Sequence, residues 1–363
     1  MLRTSLTKRI LPSILIQTLA VFLALIVLLE LVARTSWAQK TFSYRSVGNN
    51  DYQFEIKWFR LQDFEKQNGG VDVIILGSSL VNTGIDPDVM AQTYYGQTGT
   101  RIRIFNFGVE GMTVAPNSVN AKILVNKYHP ALLIYVTEMR DYIAADGLAL
   151  QRSFLSDEWV QYQQGIFNPT GWLIDHSMAL QDYLPFRNWI RADFSDFIYQ
   201  YVYRSRDTSA SGYEPELATG KNIDSIPDPN DPNEAKNFVD NGNYEMDPSR
   251  LENLQSILSL RQDQGTSVLV VEMPVHPTYY VYMGGDANHR MFQQTISSLV
   301  ESKVGSFIPA EKCNDIPLEG RANRWHLNKK GAPIFSTCLG QQLASLAKQQ
   351  NTDFTNVNGN SLK

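Results

Sequence analysis

Two side chains lying far apart in this sequence have the chemistry to move an acyl group together. Ser79 follows the apolar run VDVIILG (71–77) in a Gly-Ser-Ser turn, and His326 lies in NRWHLN (323–328), just ahead of an amphipathic stretch. A serine hydroxyl is a weak nucleophile until a base takes its proton. An imidazole titrates near neutral pH and suits that task. The histidines are His129, His176, His276, His289 and His326, and of these His326 stands in a loop before a final helix that can return to the strand ends. His276, in EMPVHP, also falls at a strand end, where it is either a substrate contact or a loop residue satisfied by backbone. The plain structural alternative for Ser78 and Ser79 is a strand-to-helix turn with capping serines.

Residues so distant need a scaffold that gathers loops at one edge. The runs VDVIILG (71–77), RIRIFNFG (101–108), ALLIYVT (131–137) and SVLVVEM (267–273) read as strands. Helical patterns over 87–95, 117–127, 251–264, 289–303 and 331–348 alternate with them. This alternation predicts an α/β fold with a doubly wound, flavodoxin-like parallel sheet and helices on both faces. Ligands in such sheets bind beyond the carboxyl ends of the strands. The first three ends place Ser78, Asn106 and Glu138 there as candidate substrate contacts, with Trp325 and His276 reaching the same edge from later loops.

GSSL after the first strand, NFGVEG after the second and NRWHLNKKGA before the last helix resemble, in order and placement, three blocks of the SGNH (GDSL) hydrolases over about 71–347. That resemblance implies Ser79 as nucleophile, His326 as base, and an oxyanion site made by the backbone N–H groups of Ser79 and Gly111, where glycine permits close approach. Ser78 fills the slot where relatives carry aspartate. The chain departs from the pattern twice. The third block, normally Gly-x-Asn-Asp, reads Glu138-Met139-Arg140-Asp141, so either Arg140 is the oxyanion donor, a stronger one for being charged, or this corner is used differently. Asn323 stands where relatives have an aspartate three residues before the histidine. An amide oxygen there accepts the imidazole N–H and holds the ring, yet stabilises no imidazolium, and in a serine triad Asp→Asn costs about 10⁴ in rate. Asp141 and Asp315 are the carboxylates in line to compensate.

At the N-terminus, Arg3, Lys8 and Arg9 precede an apolar run at 10–33 whose one charge is Glu30. At about 1.5 Å per residue such a helix crosses a hydrocarbon layer of about 30 Å. The basic flank predicts a cytoplasmic N-terminus and an extracytoplasmic remainder, as in a bacterial cell envelope. A cleaved signal peptide competes, since Ser36-Trp37-Ala38 resembles a cleavage site; the run exceeds the roughly 7–15 residues of a signal core, which favours an anchor. Cys313 and Cys338, the only cysteines, fall in the exported part and read as a disulfide or as two buried thiols. A net charge of −5 excludes a general nucleic-acid binder. No cofactor is called for, because G-x-G-x-x-G after the first strand and G-K-[ST] are both missing, and no metal-ligand spacing occurs.

The predicted organisation is a cytoplasmic tip and anchor at 1–34, a stalk at 35–70, the α/β domain at 71–348 with an insertion at about 145–248, and a disordered tail at 349–363. The insertion begins aromatic-rich and helical, capping one side of the sheet, lining a binding cleft or lying against the membrane face, and ends as a Pro/Asn/Asp/Gly-rich irregular loop. Anchor and insertion together are similar to membrane-bound members of the family that assist D-alanylation of lipoteichoic acid or acetylate exopolysaccharides. The function implied is a membrane-anchored esterase or O-acyltransferase acting on an extracytoplasmic glycan or lipid-linked acyl group. The alternative is a catalytically weak or inactive glycan-binding or assembly subunit working with envelope partner proteins.

Overall fold

Short apolar runs rich in β-branched residues, each closed by glycine or a polar turn, have nowhere stable to go except the middle of a sheet. The computed structural model describes residues 3–41, 44–49, 51–144, 148–191, 195, 198–239 and 242–356. In chain order it shows helices α1 (Arg3–Ala33), α2 (Ser36–Thr41) and α3 (Tyr52–Asn68), strand β1 (Val73–Gly77), helices α4 (Ser79–Gly84) and α5 (Pro87–Thr98), strand β2 (Ile104–Gly108), helix α6 (Val114–Tyr128) and strand β3 (Leu132–Thr137). There follow α7 (Leu148–Leu155), α8 (Glu158–Gln163), α9 (Pro169–His176), α10 (Met178–Arg191), α11 (Pro248–Gln264), β4 (Ser267–Glu272), α12 (Asp286–Ser302), β5 (Ser306–Ile308) and α13 (Gly331–Gln350).

The five strands form one sheet in the order β2-β1-β3-β4-β5, with every neighbouring pair parallel. This is the doubly wound arrangement expected. Parallel sheets require cover on both faces, and accordingly β1, β2 and β3 are buried along their whole length. Helix α5 packs on α13 and α6 on α11. The order reverses between β1 and β3, which lie side by side in register from Val73↔Leu132. A crevice at such a switch point is where ligands bind in open α/β sheets.

The described chain divides into two compact units, Met1–Asn49 with Glu158–Tyr201, and Asn50–Asp157 with Val202–Lys363. In the first, α1 carries a 20-residue apolar span, Ile14–Ala33, long enough to cross a membrane and exposed along nearly all of its length. Its one charge has a structural use. Glu30 accepts hydrogen bonds from Ser177 Oγ (2.9 Å) and from the N–H groups of Met178 (3.1 Å) and Ala179 (3.2 Å), capping the start of α10. An anion at a helix N-terminus meets unpaired donors and the positive end of the dipole. This capping ties 158–201 to the N-terminal segment, so the first part of the insertion belongs with that segment and not with the sheet.

The second unit corrects two boundaries. Residues 52–68 are no stalk: α3 buries Phe54, Trp58, Phe59 and Leu61 and packs on β2, with Phe54 edge-on to Phe107 at 5.7 Å. Positions 54, 58 and 61 recur at helical spacing, which gives α3 an apolar face that must be covered. The tail from 349 is ordered in its described part. Phe354 is buried, Asp353 O accepts from Tyr94 Oη at 2.8 Å, and Asn356 N donates to Asp72 Oδ1 at 2.8 Å; residues 357–363 of the predicted disordered tail lie outside the described residues. Cys313 and Cys338 are bonded to each other, with Cα atoms 5.7 Å apart.

Candidate active site

The site grows from two paired glycines. Gly77 and Gly108 end β1 and β2 and stand opposite each other in the ladder. A Cβ on Gly108 would lie 2.5 Å from the backbone nitrogen of Asn82, and one on Gly77 would overlap Val81. Glycine at both lets α4 start immediately at the carboxyl edge of the sheet. Ser78 is its N-cap, its hydroxyl accepting from Leu80 N at 3.4 Å. Ser79, half-buried, is the first residue of the helix. An amide in the first turn has no carbonyl behind it within the helix to receive its hydrogen.

The turn is knitted from below by Asn106, which is fully buried. Its Nδ2 donates to the carbonyls of Val81 and Ile85, each at 2.7 Å, and its Oδ1 accepts from Gly108 N at 2.9 Å. Every polar atom of this side chain is committed to backbone, so Asn106 is a scaffold residue and not a substrate contact. Asparagine at this place in NFG is accounted for by these three bonds.

His326 arrives from the loop before α13. Its Nε2 stands 2.8 Å from Ser79 Oγ, across 247 positions of sequence. The loop is held by His276, whose backbone N–H donates to Arg324 O at 2.7 Å, while its ring Nδ1 pairs with Thr278 Oγ1 at 2.8 Å. Nδ1 of His276 is thus engaged locally, and its backbone N–H helps to position the histidine loop. Trp325 stands edge-on to the His326 ring with centroids 6.2 Å apart, and to Tyr279 and Tyr282 at 6.3 and 6.0 Å, forming an aromatic wall. Glu138, at the end of β3, accepts the hydroxyl of Tyr279 behind this wall.

Arg140 follows in a 3₁₀ turn, Met139–Tyr142, with its guanidinium 6.0 Å from the centre of the Trp325 ring. Burial pushes the pKa of His326 from 6.5 down to about 4; Glu216 opposes this and the charge of Arg140 adds to it. Both charged groups are therefore felt at the ring. Gly111 lies in the exposed turn after β2 with a left-handed φ of 73°. It is three residues beyond Gly108, as Ser79 is two beyond the paired Gly77, so both turns rise from one edge of the sheet.

Neither candidate compensating carboxylate serves the imidazole. Asp141 is buried and accepts from Tyr135 Oη (3.0 Å), Thr137 Oγ1 (2.9 Å) and Glu138 N (3.2 Å), and burial together with the charge of Glu138 pushes its pKa up. Asp315 makes no described contact with His326. Asn323 does meet the ring, but in the opposite sense to that expected. Its Oδ1 accepts from the N–H groups of Trp325 (3.0 Å) and His326 (2.7 Å), and it is the amide nitrogen that faces His326 Nδ1, at 3.0 Å.

Sequence reasoning passed over the loop 213–220. Glu214 N donates to Asn82 O at 3.2 Å, Gly220 N to Arg321 O at 3.0 Å, and Glu216 O accepts from Lys329 N at 2.8 Å. This irregular segment braces both α4 and the histidine loop, and it brings Glu216 toward the imidazole. Among the described residues, no cluster of three or more His, Cys, Asp or Glu is placed to hold a metal ion.

No protein-family model matches the chain, and no curated protein matches it in sequence. Among solved structures it is similar to TesA, at 12% identity over 76% of this chain and 99% of that one, with a TM-score of 0.39. A protein described as a platelet activating factor from Streptococcus pneumonia is similar at 12% identity over 80% and 92% of the two chains, TM-score 0.40. A catalytic mutant of Axe2, an acetylxylan esterase from Geobacillus stearothermophilus, is similar at 10% identity over 79% and 98%, TM-score 0.35.

Proposed function

We propose that this chain is a membrane-anchored, SGNH-type esterase or O-acyltransferase that works by serine nucleophilic catalysis on an extracytoplasmic glycan or a lipid-linked acyl group. The observation that carries the reading is the 2.8 Å approach of His326 Nε2 to a half-buried Ser79 Oγ at the carboxyl edge of the sheet. Ser79 attacks the acyl carbonyl, and its proton passes to Nε2. The N–H groups of Ser79 and Gly111, with Arg140 in place of the usual asparagine, receive the oxyanion; preorganised donors of this kind are typically the largest contribution to such catalysis. The leaving alcohol takes the proton back from Nε2, and water or a sugar hydroxyl then accepts the acyl group. The apolar span Ile14–Ala33 supports work at a membrane surface, where lipid-linked donors and growing glycans are displayed.

A second reading, a weakly active or inactive glycan-binding or assembly subunit of an envelope complex, is favoured by one observation: the Asn323 amide nitrogen occupies the place of a triad carboxylate. The test is exposure of the detergent-solubilised full chain to a fluorophosphonate probe. Labelling, however slow, that disappears in Ser79→Ala is the expected result. A folded wild-type chain that stays unlabelled through days of exposure moves the assignment to the second reading.

A further inference from the structure

Asn323 fixes more than the place of the imidazole. Its oxygen is held by two backbone donors, Trp325 N at 3.0 Å and His326 N at 2.7 Å. Turning the amide over would lose both bonds and set an NH₂ group against two N–H groups. The orientation is thus dictated by the backbone, and it leaves the NH₂ facing His326 Nδ1 at 3.0 Å. An amide nitrogen has only hydrogens to offer, whereas a neutral imidazole has one N–H and one bare nitrogen. Nδ1 must then be the bare nitrogen, and the ring proton sits on Nε2. The 2.8 Å contact with Ser79 consequently runs from Nε2–H to Oγ, the reverse of what a general base needs.

We propose that Asn323 is a positioning residue that holds His326 in the Nε2–H tautomer, so that the Ser79–His326 pair rests with its hydrogen bond reversed and acyl transfer is throttled until the ring proton moves to Nδ1. The proposal rests on the acyl-transfer reading of the site. Double protonation offers no way round, because Nδ1–H would point at the amide hydrogens and because burial, with Arg140 nearby, opposes a charged ring, while Glu216 alone among the charged groups felt at the ring favours it. Aspartate at 323 keeps both backbone bonds through one oxygen and accepts Nδ1–H through the other. Nε2 is then bare and takes the hydroxyl proton as Oγ bonds to the phosphorus of a fluorophosphonate and fluoride leaves.

The test uses the full chain in detergent with ¹⁵N-labelled histidine, His326 being assigned by its loss in His326→Gln. At neutral pH the wild type shows a protonated Nε2 and a bare Nδ1, and Asn323→Asp shows the reverse. A protonated Nδ1 in the wild type overturns the proposal. Fluorophosphonate labelling of Ser79 should accelerate in Asn323→Asp, toward the roughly 10⁴-fold by which Asp→Asn slows a serine triad. Labelling of the wild type as fast as Asn323→Asp overturns the throttle. Should the tautomers switch as described while neither chain labels, the tautomer assignment stands and the acyl-transfer reading fails.

Discussion

Asn106 holds the turn that carries Ser79, and Asn106→Leu tests that dependence by keeping the branching at Cγ while removing every polar atom, at the cost of a bulkier side chain in a buried place. The substitution deletes three hydrogen bonds, to Val81 O, Ile85 O and Gly108 N. Val81 O keeps a partner, since it also accepts from Ile85 N at 3.3 Å. Ile85 O and Gly108 N lose the side-chain partner that satisfies them in a buried place. At about 1–3 kcal/mol for each buried polar group left unsatisfied, the cost is about 2–6 kcal/mol. That is a large share of the 5–15 kcal/mol by which a domain is usually stable. In urea unfolding followed by tryptophan fluorescence, the midpoint should fall by about 0.7–2 M for a slope near 3 kcal/mol/M. The losses fall on the last turn of α4, so the helix carrying Ser79 loosens and fluorophosphonate labelling should drop even where the protein is still folded. A midpoint within about 0.3 M of wild type on that same slope, together with undiminished labelling, would refute the scaffold role.

Two further outcomes follow from the histidine loop. Because burial holds the His326 pKa near 4 against 6.5, the unfolded chain takes up a proton below pH 6.5 that the folded ring refuses. Stability is therefore full above pH 6.5 and falls as pH drops toward 4, by at most about 3 kcal/mol at 1.36 kcal/mol per unit, and less to the extent that the half-buried ring is solvated; denaturation profiles from pH 7 to 4 should be flatter for His326→Gln, and parallel profiles would refute the assignment. The Cys313–Cys338 bond closes a loop of 25 residues that contains Asn323 and His326. In the chain-entropy account it contributes about 3.5 kcal/mol, so the double Cys→Ser variant should melt several degrees lower and label more slowly, whereas an unchanged Tm would mean that the loop is held without it.

Much of this architecture was legible because its signals are local. β1 to β4 are short, largely apolar runs, and the helical pattern that begins at 87 starts on a capping pair, with Asp86 accepting from Asp88 N and Val89 N. Ser79 and His326 stood out because a hydroxyl in a Gly-Ser-Ser turn after the first strand and an imidazole just before the last helix can meet at one sheet edge. β5 escaped because three residues, Ser306–Ile308, are too few to show a period. The bracing loop 213–220 escaped for a different reason: its bonds to Asn82, Arg321 and Lys329 are all long-range, and an irregular segment has no pattern that announces its partners. Asn106 was taken for a substrate contact because sequence shows that a polar residue ends a strand, not that the backbone consumes all its bonds. The direction of the Asn323 amide could not be read at all, since it is decided by two backbone N–H groups whose positions exist only in the folded loop.

The two departures from the usual hydrolase pattern act on different halves of one charge separation. In the proposed reaction, attack by Ser79 would create an anion on the acyl oxygen and a cation on His326 at the same moment. Arg140, just after β3, disfavours the cation, as its effect on the imidazole shows, and its positive charge would favour the anion in the proposed reaction. Asn323 brings no charge to the cation and turns hydrogens toward it. Glu216 pulls the other way, but from a loop that is braced against the histidine segment and not from the triad position. An oxyanion held by Arg140 beside a neutral Nε2–H is a good arrangement for retaining an anionic or acyl ligand, and a poor one for passing its proton on. On the proposed acyl-transfer reading, the rate turns on the imidazole tautomer more than on the nucleophile, and Asn323→Asp is expected to change that tautomer while leaving Ser79, Arg140 and the aromatic wall in place.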